Sequence, residues 1–114
     1  MSEENVIDFT DQEQVSFNLI LLAGNARSEA FAALEEAKKN NWDGAKTCFK
    51  KANEEMKSAH EIQAKLLQSF AGGAKITPDL LLVHAQDHLM TAKSEIGLIE
   101  ELIELNRKIA NNCH

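Results

Sequence analysis

The sequence predicts an all-α chain, an antiparallel three-helix bundle that associates with further copies of itself. Five glycines and one proline, Pro78, punctuate its 114 residues, too few for the turns of an all-β chain. Apolar residues recur at spacings of three and four through three long segments joined by short connections. The third segment carries more apolar surface than one stripe, so it needs a burial partner that a three-helix monomer does not offer. At this length a monomer's core is modest and association adds burial.

Residues 1–13, MSEENVIDFTDQE, are polar and acidic with little to bury, and they read as a flexible tail ahead of a single domain over 14–114. The first helix is expected from about Gln14 to Lys39, with Leu19, Leu22, Ala23, Ala26, Ala30, Ala33, Leu34 and Ala37 on its buried face. So many alanines allow neighbouring backbones to approach closely. The second is expected from about Trp42 to Phe70 on the rhythm Trp42, Ala45, Phe49, Ala52, Met56, Ala59, Leu66 and Phe70. Gln63 fills the missing slot of that stripe; it and nearby His60 read as polar residues satisfied at a helix interface.

AGGAKI (71–76) is the loop, and Thr77-Pro78-Asp79 then offers a capping hydroxyl, a proline for the first helical position and an acid for the first turn. Helix three should run on to about Ile109 or Ala110. Its core stripe is Leu82, Ala85, Leu89, Ala92, Ile96, Ile99 and Ile103. A second line holds Leu80, Val83, Asp87 and Met90, and Leu98, Leu102, Leu105 and Ile109 extend the apolar surface. A rotation axis lined by helix three would cover it.

A net charge of −6 and no basic cluster denser than Lys50–Lys51 exclude the phosphate-neutralising footprint of a nucleic-acid binder. The most apolar stretch, LILLAG (19–24), is far too short to cross a bilayer, and the acidic amino terminus does not resemble a secretory signal. No direct membrane insertion is therefore expected. Cys48 and Cys113 match no paired framework and fit free thiols in the cytoplasm, with Cys48 as a small core residue.

The chemistry concentrates in HAQDHLM (84–90), where a helix places His84 beside Asp87 at i+3 and His88 at i+4. One reading is a satisfied polar patch at an interface. A second is a metal site, since two imidazoles at i and i+4 can chelate zinc; Ala85 stands where the H-E-x-x-H hydrolases carry their general base, so hydrolysis is poorly supported. The third makes one histidine a nucleophile. An imidazole keeps an unprotonated nitrogen at cytosolic pH and can attack phosphorus, forming a labile phosphoryl intermediate that is passed on. A polar side chain bonded to one ring nitrogen, from Gln86 or His88, would leave the other free to attack. Arg27 reads as a solvent-facing or interhelical ion-pairing residue, with support of the active surface as its alternative.

LVHAQDHLMTA (82–92) resembles the active-site segment of the lactose/cellobiose-type enzyme IIA proteins of the bacterial phosphotransferase system. AGNARSEAFAALEEAK (23–38) and AHEIQAKLL (59–67) resemble that family's first- and second-helix segments, so the likeness spans about 14–110. It implies a homotrimeric three-helix bundle that relays a phosphoryl group from HPr to a cysteine of the sugar-specific IIB component, which serves the IIC permease. By motif position it makes His84 the phosphorylated residue, and Gln86 and His88 supporting or partner-contact residues. Asp87 matches the carboxylate at the trimer axis, where a divalent cation, Mg2+, offsets the repulsion of three copies. Alanine after the histidine leans towards cellobiose or chitobiose rather than lactose. A helical metal-binding or interaction module without covalent chemistry is the alternative from another class.

Overall fold

The computed structural model describes residues 11–112 as three helices, α1 (Gln12–Lys38), α2 (Trp42–Ala71) and α3 (Leu80–Asn112). They run up, down and up in a rod with principal extents of 60 × 30 × 21 Å. Residues 1–10 of the expected tail, and Cys113, lie outside the described part. Asp11, Gln12 and Glu13, read as tail from the sequence, instead start α1: the Asp11 carboxylate accepts the Gln14 N–H at 3.2 Å and caps the helix.

α1 is the central element. It packs along both other helices, whereas α2 and α3 hardly touch each other. Its alanines explain how one helix serves two neighbours: Ala23, Ala26, Ala30 and Ala33 are fully buried, so backbones close in from both sides. Val15 and Leu19 extend this spine, and Leu89 and Ala92 of α3 and Met56, Ala59, Ile62 and Leu66 of α2 complete the core. Every residue of the expected α3 stripe is buried except Ile103, which is half-buried. In α2 Trp42 and Phe49 are half-buried, and the stripe departs further from expectation in two places. Ile62 is buried and turns to the core, and Phe70 is 60% exposed, because the last turn of α2 overshoots the described start of α1. Cys48, expected in the core, is half-buried and free.

Both connections close with one device. After α1, Asn40 adopts φ 61°, with Asn40 N–H on the Ala37 carbonyl and Asn41 N–H on that of Glu36. After α2, Gly73 has φ 102°, and Gly73 and Ala74 bond the Phe70 and Ser69 carbonyls in the same pattern. This is the Schellman arrangement, and the left-handed residue is an asparagine or glycine as that region demands. The Asn41 side chain then accepts from Gly44 N–H at 3.1 Å and starts α2 at once.

α3 begins later than the Thr77-Pro78-Asp79 signal suggests. Asp79 is the cap, its carboxylate accepting Leu82 N–H at 2.8 Å, and Thr77 lies outside the helix. The Thr77 backbone is otherwise engaged: its N–H donates to Gln12 Oε1 at 2.9 Å and its carbonyl accepts from Gln12 Nε2. Position before a proline also disfavours a helical conformation for Thr77. The amide of Gln12 thus fastens the entry to α3 to the start of α1.

Candidate functional site

One turn inside α3, the core stripe faces α1 and the neighbouring positions turn outward. Ala85 and Leu89 are buried; His84 and Asp87 are exposed; Gln86 and His88 are half-buried. The structure therefore presents His84 to solvent and brings His88 against it. The two imidazoles meet edge to face, centroids 5.3 Å apart and planes at 83°. Aromatic pairs in this geometry contribute about 0.5–1.5 kcal/mol beyond burial.

Among the described residues His84 has no hydrogen-bond partner, and Gln86 spends its amide elsewhere. Gln86 and Gln63 form a reciprocal pair, each Nε2 donating to the other's Oε1 at 2.6 and 2.8 Å. This satisfies Gln63 at the helix interface as the sequence suggests. It also clamps α3 to α2 at the level of the site, where little else joins them. Deleting one partner strands the other amide in a half-buried place, at about 1–3 kcal/mol. Gln63→Leu and Gln86→Leu should each destabilise by about that much, and the double variant by less than their sum, in a denaturant-melt double-mutant cycle.

His88 packs over α1 where that helix lacks a side chain. A methyl carbon built on Gly24 would stand 3.9 Å from His88 Cε1, and His88 Nδ1 is buried without a hydrogen-bond partner. One turn further on, Arg27 crosses from α1 to α3. Its Nε lies 2.7 Å from Glu95 Oε1 and its Nη2 donates to Thr91 Oγ1 at 2.9 Å. The Thr91 hydroxyl donates in turn to the Asp87 carbonyl at 2.8 Å. Arg27 is thus the interhelical ion-pairing residue, tied to the backbone of the site turn. Sequence reading gave Thr91 and Glu95 no role; their place at i+7 and i+11 from His84 is the signal that could have found them.

Asp87 lies on the outward line with Leu80, Val83 and Met90, which are 84%, 56% and 58% exposed. Leu98, Leu102, Leu105 and Ile109 continue an apolar exposed surface along α3. Within one chain no three His, Cys, Asp or Glu side chains among the described residues come together as a metal centre. A cation held through Asp87 would need carboxylates from other copies. A groove between Trp42 and Phe49 of α2 and Ile103 and Arg107 of α3 lies at the opposite end of the rod. Arg107 closes that end by stacking over the Trp42 ring at 5.1 Å. No helix among the described residues is long and apolar enough to cross a membrane.

Fold and site together define a small all-helical protein: a three-helix scaffold that, among the described residues, presents one exposed imidazole in an apolar setting. The family model for the phosphotransferase system lactose/cellobiose-specific IIA subunit matches residues 14–107, and the chain belongs to that family. It is 44% identical over 97 residues to the N,N'-diacetylchitobiose-specific EIIA component of Escherichia coli, covering 85% of this chain and 84% of that one. With the lichenan-specific enzyme IIA component of Bacillus subtilis it shares 43% over 99 residues, 87% and 90% of the two chains. Among solved structures, the cellobiose-specific enzyme IIA of Bacillus anthracis superposes with a TM-score of 0.87 at 40% identity, over 96% of this chain and 98% of that one. The IIA(Chitobiose)–HPr complex of Escherichia coli gives 0.76 at 42% identity, over 88% and 97%. The protein is a phosphotransferase-system component with the three-helix fold of that family.

Proposed function

We propose that this chain is a cytoplasmic phosphocarrier for uptake of a β-linked disaccharide of the cellobiose or chitobiose type. His84 accepts a phosphoryl group from phospho-HPr and hands it to the cysteine of the cognate IIB component, which serves the IIC permease. The observation that carries this reading is the exposed His84 imidazole, standing on α3 within LVHAQDHLMTA, the stretch that resembles the family's active-site segment and lies inside the matched residues 14–107. The solved complex of a IIA relative with HPr supports HPr as the donor.

The chemistry needs little machinery. In the first transfer the unprotonated ring nitrogen of His84 attacks phosphorus, and the ring's proton stays on the other nitrogen. The N–P bond forms as the bond from phosphorus to HPr breaks, its electron pair returning to HPr. In the second transfer the IIB thiolate attacks the same phosphorus, an S–P bond forms, and the N–P electron pair returns to the imidazole. An exposed acceptor allows both partners to use one footprint, and short-lived encounters keep release from limiting turnover. The test is intact mass after mixing the chain with phosphoenolpyruvate, enzyme I and HPr. One acid-labile phosphoryl group per chain is expected; no gain with active controls overturns the reading.

The working form is a homotrimer with α3 of each copy at the axis. The exposed line from Leu80 to Ile109 supports that arrangement, since it leaves more apolar surface than a monomer covers. Asp87, on the same line, would then meet its copies, and a divalent cation, Mg2+, would offset their repulsion through carboxylate oxygens. Asp87→Leu removes three like charges from a shared buried place and is expected to keep or strengthen the trimer. Sedimentation velocity reads this directly, and dissociation of Asp87→Leu into monomers would overturn the axial placement.

A further inference from the structure

We infer that His88 is the positioning residue of the phosphoryl-accepting imidazole, acting through its ring rather than through a hydrogen bond. The inference rests on the relay reading of His84. Four observations converge on it. His84 has no hydrogen-bond partner among the described residues. Among the described residues its one ring contact is the edge-to-face pair with His88, 5.3 Å between centroids at 83°. Gln86, the other candidate for orienting it, is committed to Gln63 by two hydrogen bonds. His88 has the backing such a role needs, since its ring lies over α1 at Gly24, where a methyl carbon would stand at ordinary contact distance, 3.9 Å from Cε1, and its Nδ1 is buried.

The physical need is plain. An exposed side chain on a helix surface samples several rotamers, and in-line attack on phosphorus tolerates few of them. A fixed ring one turn below removes some of those rotamers before the donor arrives, without engaging either nitrogen of His84. A hydrogen bond to a ring nitrogen would have to be compatible with both the free and the phosphorylated state. A ring contact is indifferent to which state is present, which suits an acceptor that must also become a donor. The backing of His88 is itself held in place, because Arg27 of α1 donates to the Thr91 hydroxyl and pairs with Glu95, fixing the separation of α1 and α3 one turn away.

The experiment compares His88→Phe and His88→Leu with the wild type in single-turnover transfer from phospho-HPr, varying HPr to separate kcat from KM. His88→Leu keeps apolar bulk but loses the ring; it is expected to lower kcat about tenfold with KM changed less than twofold, and to reach the same final phosphoryl yield. His88→Phe keeps the ring and no nitrogen; it is expected to recover kcat to within about threefold. In proton NMR spectra the His84 ring signals should lose their neighbour-ring shift in the Leu variant and keep one in the Phe variant. Wild-type kcat in His88→Leu would overturn the proposal, and so would a Phe variant as slow as the Leu variant, which would assign the role to a His88 nitrogen. Failure of the relay reading itself looks different: the wild type would then take up no phosphoryl group at all.

Discussion

His84→Ala is expected to abolish phosphoryl acceptance completely while leaving fold and assembly intact. Alanine supplies no nucleophile, and no neighbouring group replaces it: His88 is half-buried with Nδ1 enclosed, and the Gln86 amide is bound to Gln63. Stability should change by about 1 kcal/mol or less, because His84 is exposed and the loss of its edge-to-face pair with His88 is offset in part by the helix preference of alanine. Intact mass spectrometry of wild type and variant, each incubated with phosphoenolpyruvate, enzyme I and HPr, measures the first effect. A thermal melt measures the second. Phosphoryl uptake at the wild-type level in His84→Ala would move the acceptor to another residue, and loss of folding would mean the imidazole carries a structural load that its exposure does not suggest.

The largest effect on stability is expected at Leu89, directly behind the site. It is 1% exposed, among the largest fully buried side chains, and belongs to the cluster in which α3 meets α1. Leu89→Ala removes its buried methyl and methylene groups and leaves a cavity between helices that the alanine spine of α1 cannot refill. The cost is about 2–5 kcal/mol, a large share of the stability of a domain this size. Denaturant melts at one fixed protein concentration give the value, since association makes apparent stability depend on concentration. A loss below about 1 kcal/mol would mean that α3 can shift against α1, at odds with the Gln63–Gln86 and Arg27–Glu95 ties that hold it.

The fold was largely legible because the alternation of apolar and polar residues records which face of each helix is inside. The stripe from Leu82 to Ile99 is the core face of α3, and Ala23, Ala26, Ala30, Ala33 and Ala37 form the contact faces of α1. Where the reading slipped, a local signal lost to a contact distant in sequence. Thr77 has the composition of a helix cap, but its backbone is held by Gln12, 65 positions away, and Asp79 takes the cap. Phe70 continues the α2 stripe, but covering it depends on where α1 starts. Asp11 was assigned to the tail because acidic residues surround it, although its carboxylate suits a cap as well as a tail.

The site was legible as a constellation and not as a geometry. Helical spacing places His84, Asp87 and His88 on adjoining positions, so their proximity follows from the sequence. The partner of Gln86 and the edge-to-face meeting of the two rings depend on the register between helices and on side-chain rotamers, which spacing does not encode. Gly24 shows the difference well. In the sequence it is an unremarked glycine in a helix, and in the structure it is the floor beneath His88.

The central place of α1 bears on how the chain is made. α1 and α2 leave the ribosome first and form a helical hairpin from neighbours in sequence, a low-contact-order step that proceeds quickly. One flank of the alanine spine then stays open until α3 is synthesised and docks, since α2 does not reach across to cover it. The segment bearing His84 is thus secured after α1 and α2, and a nascent chain cannot hold that imidazole in its native setting before the whole scaffold stands.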